Sequence, residues 1–242
     1  MKKKNIVILL TSSISVKDIP FVKRNDYKKR KQDYIYSLNK LLKTTKLPIV
    51  FCENTGTLLD LQNQNSKNNK YDNLEIITFN DNEGAKTKGK GYSELKIIDY
   101  AIKNSKFITD ESFIIKITGR YHVKNIDSYL LWLNSVELPF INLNFINFMK
   151  LSDSRFFGFK LDFFRSYLAK FGEEIDDFNN YFFEHALRDA TLRSMLDGNL
   201  WLPLPFYPVI EGYSGTSNFK LTAPIYKNWK RKFYYKIFLK QL

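Results

Sequence analysis

The sequence predicts an α/β protein: a single domain with a mostly parallel central sheet flanked by helices. An uninterrupted aliphatic run at Ile6–Leu10, typical of a strand covered on both faces, and further apolar strand-like segments at Leu47–Cys52 and Ser112–Thr118 point that way. Segments of helical periodicity alternate with them, and parallel strands require such crossovers. A hydrophobic content of 44% over 242 residues supplies a sizeable core. No linker divides the chain, so residues 1–225 are expected to form the domain and 226–242 a basic, aromatic C-terminal tail.

Ile6–Leu10 reads as the first, central strand rather than a signal peptide. The apolar run is shorter than the roughly seven to fifteen residues of a signal core, and no small-residue cleavage pattern follows. Thr11, Ser12 and Ser13 close it, with hydroxyls that either contact a ligand or cap a turn. A helix is predicted over Tyr27–Lys43, where Tyr34, Leu38, Leu41 and Leu42 share a face. The strand Leu47–Cys52 ends in Glu53-Asn54-Thr55-Gly56, groups suited to a base or ribose edge, or to a turn of no chemical role. The Asn/Lys-rich stretch 63–73 reads as a surface excursion, and Leu74–Phe79 as the third strand.

Lys86–Tyr121 carries the densest functional signal. A flexible basic loop (Lys86, Lys88, Gly89, Lys90, Gly91) is predicted to lead into a helix with Leu95, Ile98, Ala101 and Ile102 on one face. The strand Ser112–Thr118 then ends in Gly119-Arg120-Tyr121, and ligands of open α/β sheets bind beyond such strand ends. The loop is neither a P-loop nor a dinucleotide fingerprint, since Glu94 stands where the third glycine would be. Two lysines ahead of a helix N-terminus suit phosphate, although a solvated loop would read the same way. Arg120 is placed for bidentate phosphate contact, or for pairing with an acid at the core edge.

Past Tyr121 the pattern predicts a short helix at Ile126–Leu133 and one or two half-wet strands in Phe140–Met149. A turn at Ser152-Asp153-Ser154-Arg155 precedes a strand at Phe156–Phe159, a helix at Asp162–Lys170 and a long helix at Phe178–Leu196. In that last helix Glu184 stands beside His185 among aromatics, where an acid is costly unless paired or used. It is either a general base or a solvent-facing acid next to a packed imidazole.

Composition narrows the class. Cys52 is the sole cysteine and the two histidines, His122 and His185, lie far apart, which argues against disulfides and structural zinc. The charge of +13 sits at the ends: thirteen Lys/Arg against three Asp in residues 1–50, and seven with no acid in 220–242. Such ends suit an anionic partner, whether phosphorylated ligand, membrane surface or nucleic acid. No RNA-recognition, zinc-finger or helix-turn-helix pattern appears, so nucleic acid is not expected as a partner; a non-catalytic RNA- or anionic-polymer-binding protein is the alternative function. The lone cysteine makes a cytoplasmic protein the expectation, and since no window approaches the ~18 apolar residues of a membrane span, any membrane contact is expected to be peripheral.

Taken in order, FCENTG at 51–56, KGKGYSE at 88–94, KITGRY at 116–121, SDSRFFGF at 152–159, FFEHAL at 182–187 and GYSGTSN at 212–218, after the strand and hydroxyl turn Ile6–Ser13, resemble the GT-A class of nucleotide-sugar glycosyltransferases. The likeness is to small enzymes of bacterial O-antigen or capsule synthesis. It implies a Rossmann-like GT-A domain, a nucleotide-sugar donor, a growing lipid-linked glycan as acceptor, and a place at the inner face of the cytoplasmic membrane. The donor-binding candidates it implies are Thr11, Ser12, Glu53, Asn54, Lys88, Gly89, Lys90, Arg120 and Arg155. Glu184 takes the position of the base that deprotonates the acceptor, with His185 beside it and Asp153 as the second candidate. One departure matters: where the class presents a metal-binding Asp-x-Asp, this chain has Thr118-Gly119-Arg120. No cofactor is therefore expected, with cations neutralising the departing diphosphate instead of a divalent metal, although such a metal is not excluded by the residues alone.

Overall fold

The α/β architecture is present in the computed structural model of the chain, which describes residues 4–17, 19–59, 71–81 and 83–221. The strands in chain order are β1 (Ile6–Ser12), β2 (Ile49–Glu53), β3 (Leu74–Thr78), β4 (Phe113–Thr118), β5 (His122–Val123), β6 (Ile141–Asn142), β7 (Phe145–Ile146), β8 (Leu151–Ser152), β9 (Phe156–Lys160), β10 (Trp201–Leu202), β11 (Ile210–Tyr213) and β12 (Lys220–Leu221). The α-helices are α1 (Tyr27–Thr44), α2 (Glu83–Lys88), α3 (Lys90–Asn104), α4 (Ile126–Ser135), α5 (Leu161–Phe163), α6 (Ala169–Gly172) and α7 (Phe183–Leu196). A π-helical turn, Phe164–Leu168, joins α5 to α6.

The central sheet runs β10-β6-β9-β4-β1-β2-β3. Its neighbours pair in parallel except at β9, which runs against both β4 and β6. β1 lies between β2 and β4, and all of its residues are buried, as its uninterrupted aliphatic run requires. Register levels the strand ends: Thr11 faces both Cys52 and Thr118, and Ser12 faces Glu53. That level edge is the floor on which the site is built.

Alternation along β1 divides the core in two. Val7 and Leu9 pack with Leu95, Ile98 and Ala101 of α3 and with Ala186, Leu187 and Ala190 of α7. Ile8 and Leu10 point the other way, to Tyr34, Leu38 and Leu41 of α1 and to Ile126, Tyr129 and Leu133 of α4. Each large aliphatic side chain so buried contributes about 1.5–3 kcal/mol. Helices α3 and α7, on one face, thus have their N-termini fixed at the same sheet edge as the C-terminal ends of β1 and β4.

Three predicted elements differ. The basic stretch ahead of α3 is helical rather than a flexible loop, since α2 and α3 meet at Gly89, whose φ of +91° only glycine adopts without strain. The long helix begins at Phe183, not Phe178: the Asp176 carboxylate accepts from Phe178 N–H at 2.9 Å, and Asn180 is left-handed, so a 3-10 turn over Asp177–Asn179 ends before α7 starts. Phe140–Met149 divides between β6, in the main sheet, and β7, in a hairpin with β8 whose turn holds Asn147, Phe148 and Met149 at positive φ. Most of the 63–73 excursion and the whole 226–242 tail lie outside the described residues. Among the described residues no helix is long and apolar enough to cross a membrane.

Candidate active site

A cleft of about 260 Å³ opens beyond the C-terminal ends of β1 and β4, bounded by the first turns of α3 and α7 and by Ser214-Gly215-Thr216 after β11. Gly119 brings the two strand ends together. Its N–H donates to Thr11 O at 2.8 Å, and a Cβ there would lie at 2.8 Å from the same oxygen. The chain therefore turns sharply and sets Arg120 into the cleft.

One side of the cleft is cationic. Arg30 projects from the apolar face of α1, one turn before Tyr34, and is only 3% exposed. Its guanidinium donates to Ser13 O (3.0 Å from Nε), Arg24 O (2.9 Å) and Tyr34 Oη (3.2 Å). Arg120 donates to Tyr213 O at 3.1 Å and Tyr121 Oη at 3.2 Å and lies 4.8 Å from the centre of the Tyr121 ring. All of these acceptors are uncharged. Asp33, the nearest acid to Arg30 along the helix, is paired with Arg24 at 2.5 Å. Among the described residues neither Arg30 nor Arg120 makes an ion pair. Burial alone would raise the Tyr34 phenol, yet the two guanidiniums hold it below its ordinary range.

The other side carries carboxylates. Glu184, in the first turn of α7, accepts from Ser154 Oγ at 2.7 Å. Asp177 is 3% exposed; Oδ2 accepts from Gly91 N–H at 3.2 Å and Oδ1 has no partner. Burial pushes the Asp177 carboxyl above its ordinary range, against the pull of the Gly91 N–H and Lys90. Glu94 completes the set, held by the fully buried Lys116 ammonium and by Thr11 Oγ1 at 3.3 Å. Lys90 bridges the cleft, its Nζ 2.6 Å from Thr216 Oγ1.

Of the residues singled out in the sequence, Thr11, Ser12, Lys90, Arg120, Arg155 and Glu184 line the cleft. Others are placed elsewhere. Glu53 is fully buried and accepts from the N–H groups of Ile14 (3.0 Å), Thr55 (2.9 Å) and Thr57 (2.9 Å), which makes it a brace for the turn after β2. Asn54 joins Ser13 to Ser93, each at 2.6 Å. Lys88 ends α2, donates to Glu173 O at 2.8 Å and lies over the Tyr92 ring. Gly89 is packed on Asp177, 2.4 Å from where its own Cβ would be. Asp153 grips Arg155 through both oxygens, at 2.8 and 2.6 Å, and so orients that arginine toward the cleft. His185 accepts from Phe182 N–H at 3.1 Å and caps α7; burial lowers its pKa. Arg30, Tyr34, Glu94, Ser154, Asp177 and Thr216 also line the cleft, though none was a site candidate from the sequence, where Glu94, Ser154 and Thr216 appear only within motifs.

Helix N-termini attract phosphate only while their N–H groups are open. Here the Asp177 carboxylate already accepts from Gly91 N–H at the start of α3. The residues at the end of β4 do not fit a divalent metal either, since a guanidinium stands where carboxylates would be needed. Among the described residues no three His, Cys, Asp or Glu side chains are grouped to hold one.

Fold and cleft together define an α/β protein with a cleft at the carboxyl edge of a mostly parallel sheet, cationic on one side and acidic on the other. No protein-family model and no curated protein matches the chain. Among solved structures it is similar to the galactosyltransferase LgtC in complex with donor and acceptor sugar analogues, with a TM-score of 0.49 and 11% identity over 83% of this chain and 74% of that one. An active-site mutant of LgtC is similar with a TM-score of 0.47 and 11% identity, over 76% of this chain and 69% of that one.

Proposed function

We propose that the protein is a glycosyltransferase that moves a sugar from a nucleotide-sugar donor to a glycan acceptor. One observation carries the reading: two neighbouring guanidiniums, Arg30 and Arg120, lie at the ends of β1 and β4 with no carboxylate to neutralise them among the described residues. Burying like charges together is unfavourable, and a dianionic ligand between them removes the cost. In this reading the donor diphosphate contacts both arginines. Glu184 receives the proton of the acceptor hydroxyl as that oxygen attacks the anomeric carbon, and the bond to the diphosphate breaks with its electrons stabilised by the arginines. The acceptor is proposed to be lipid-linked and part of a bacterial surface glycan, in keeping with the sequence resemblance. The basic tail 226–242 is the proposed contact with the inner face of the membrane.

Nucleotide binding tests the reading directly. UDP, GDP or CMP is expected to raise the melting temperature, because a ligand that binds only the folded state stabilises it; an RNA- or anionic-polymer-binding protein would show no such shift with nucleotides. Arg120→Ala is expected to weaken nucleotide binding by about 1.5–3 kcal/mol, the value of a charge-assisted contact. Unchanged affinity in a folded variant, measured by calorimetry, would remove Arg120 from the donor site. Since Arg120 stands where a metal-binding acid would, transfer is expected to persist in EDTA. Loss of turnover in EDTA that Mn²⁺ restores would show the opposite.

A further inference from the structure

The nucleotide-sugar reading leaves the acidic side of the cleft to the sugar, and its chemistry limits which sugar. Asp177 and the start of α7 converge on one point: a Cβ on Gly91 would lie 2.7 Å from Asp177 Oδ1 and 2.9 Å from Phe183 N. Glu184 is the next residue, so two carboxylates stand at the adjoining helix starts; Asp177 already accepts from Gly91 N–H at the start of α3, and His185 caps α7. Lys90 lines the cleft beside them, while Lys116 is engaged by Glu94 and Arg155 by Asp153. The Asp177 side chain is almost wholly buried, and its Oδ1 lacks a donor. A buried carboxylate oxygen without a donor is costly, and a hydroxyl seated in the cleft would supply one.

We infer that Asp177 is a specificity-determining residue that selects an uncharged sugar, accepting from its hydroxyls and repelling sugars that themselves carry a carboxylate, such as uronic or sialic acids. Juxtaposed like charges act mainly as rejection of the wrong ligand. The inference rests on the nucleotide-sugar reading, and its test keeps the two apart.

Calorimetry on the full chain would first establish which of UDP, GDP, dTDP or CMP binds. It would then compare the matched pair for that nucleotide: UDP-glucose with UDP-glucuronate, GDP-mannose with GDP-mannuronate, or dTDP-glucose with dTDP-glucuronate. The neutral sugar is expected to bind at least roughly 10-fold more tightly than the uronate. Asp177→Asn keeps an acceptor for Gly91 N–H, and it is expected to narrow that ratio while leaving affinity for the free nucleotide unchanged. A uronate bound as tightly as its neutral partner by the unaltered protein overturns the inference whether or not the variant folds. So does an unchanged ratio in folded Asp177→Asn. Failure of UDP, GDP, dTDP and CMP alike to bind overturns the nucleotide-sugar reading, and the inference with it; binding of CMP alone, whose sugar donors carry a carboxylate, or binding without discrimination overturns the inference alone.

Discussion

Glu184→Gln is expected to lower sugar-transfer turnover by roughly 10²–10⁴-fold, the usual contribution of a positioned general base, while nucleotide affinity stays unchanged. The substitution keeps the shape of the side chain and an oxygen able to accept from Ser154 Oγ, now at 2.7 Å, but removes the group that can take a proton. Its position explains why the effect should fall on turnover. Glu184 reaches the cleft from the first turn of α7, where exposed N–H groups favour negative charge, and it stands apart from the arginines proposed to hold the diphosphate. Steady-state kinetics with and without the substitution, beside calorimetry with the nucleotide, separates the two properties. Near-normal turnover would move the base elsewhere. Glu94 and Asp177 would be considered next because both line the cleft, whereas both oxygens of Asp153 are committed to Arg155.

How much of this was legible follows from how local each signal is. β1, β2 and β4 announce themselves as strongly apolar segments, Arg120 stands out at the end of such a strand, and Glu184 as an acid among aromatics. Arg30 was hidden within Lys28-Lys29-Arg30-Lys31, although the helical period through Tyr34 and Leu38, carried back one turn, puts it on the buried face. Glu53 and Asn54 show the opposite failure. Their type and place suggested ligand contacts, but backbone and hydroxyl partners from other segments consume them, and sequence does not reveal which distant N–H groups will arrive. Asp177 carries no local signature at all, being one acid among Glu173, Glu174 and Asp176; its distinction is the contact with Gly91, made far along the chain.

Lys116 is a lysine in the middle of the otherwise apolar strand Phe113–Thr118. Its side chain is fully buried, and the ammonium holds Glu94, donates to Ser154 O at 2.6 Å and to Thr118 Oγ1 at 3.1 Å, and lies 5.6 and 5.8 Å from the centres of the Phe157 and Phe183 rings. Removing one partner of a buried pair leaves the other uncompensated, which costs about 3–5 kcal/mol. Glu94 retains 22% side-chain exposure, so water recovers part of that loss and the lower figure applies. Lys116→Met is therefore expected to destabilise the protein by about 3 kcal/mol and to lower its melting temperature by on the order of 10 °C. Pairing it with Glu94→Gln should restore part of the stability, because replacing both charges avoids the orphaned carboxylate. Turnover should fall in both variants even at temperatures where they are folded, since Lys116 fixes the carbonyl of Ser154, the residue whose hydroxyl holds Glu184. Chemical denaturation of the single and double variants measures the first effect and kinetics the second. A loss below about 1 kcal/mol for Lys116→Met, with unchanged turnover, would show that the pair neither braces the sheet edge nor positions the base.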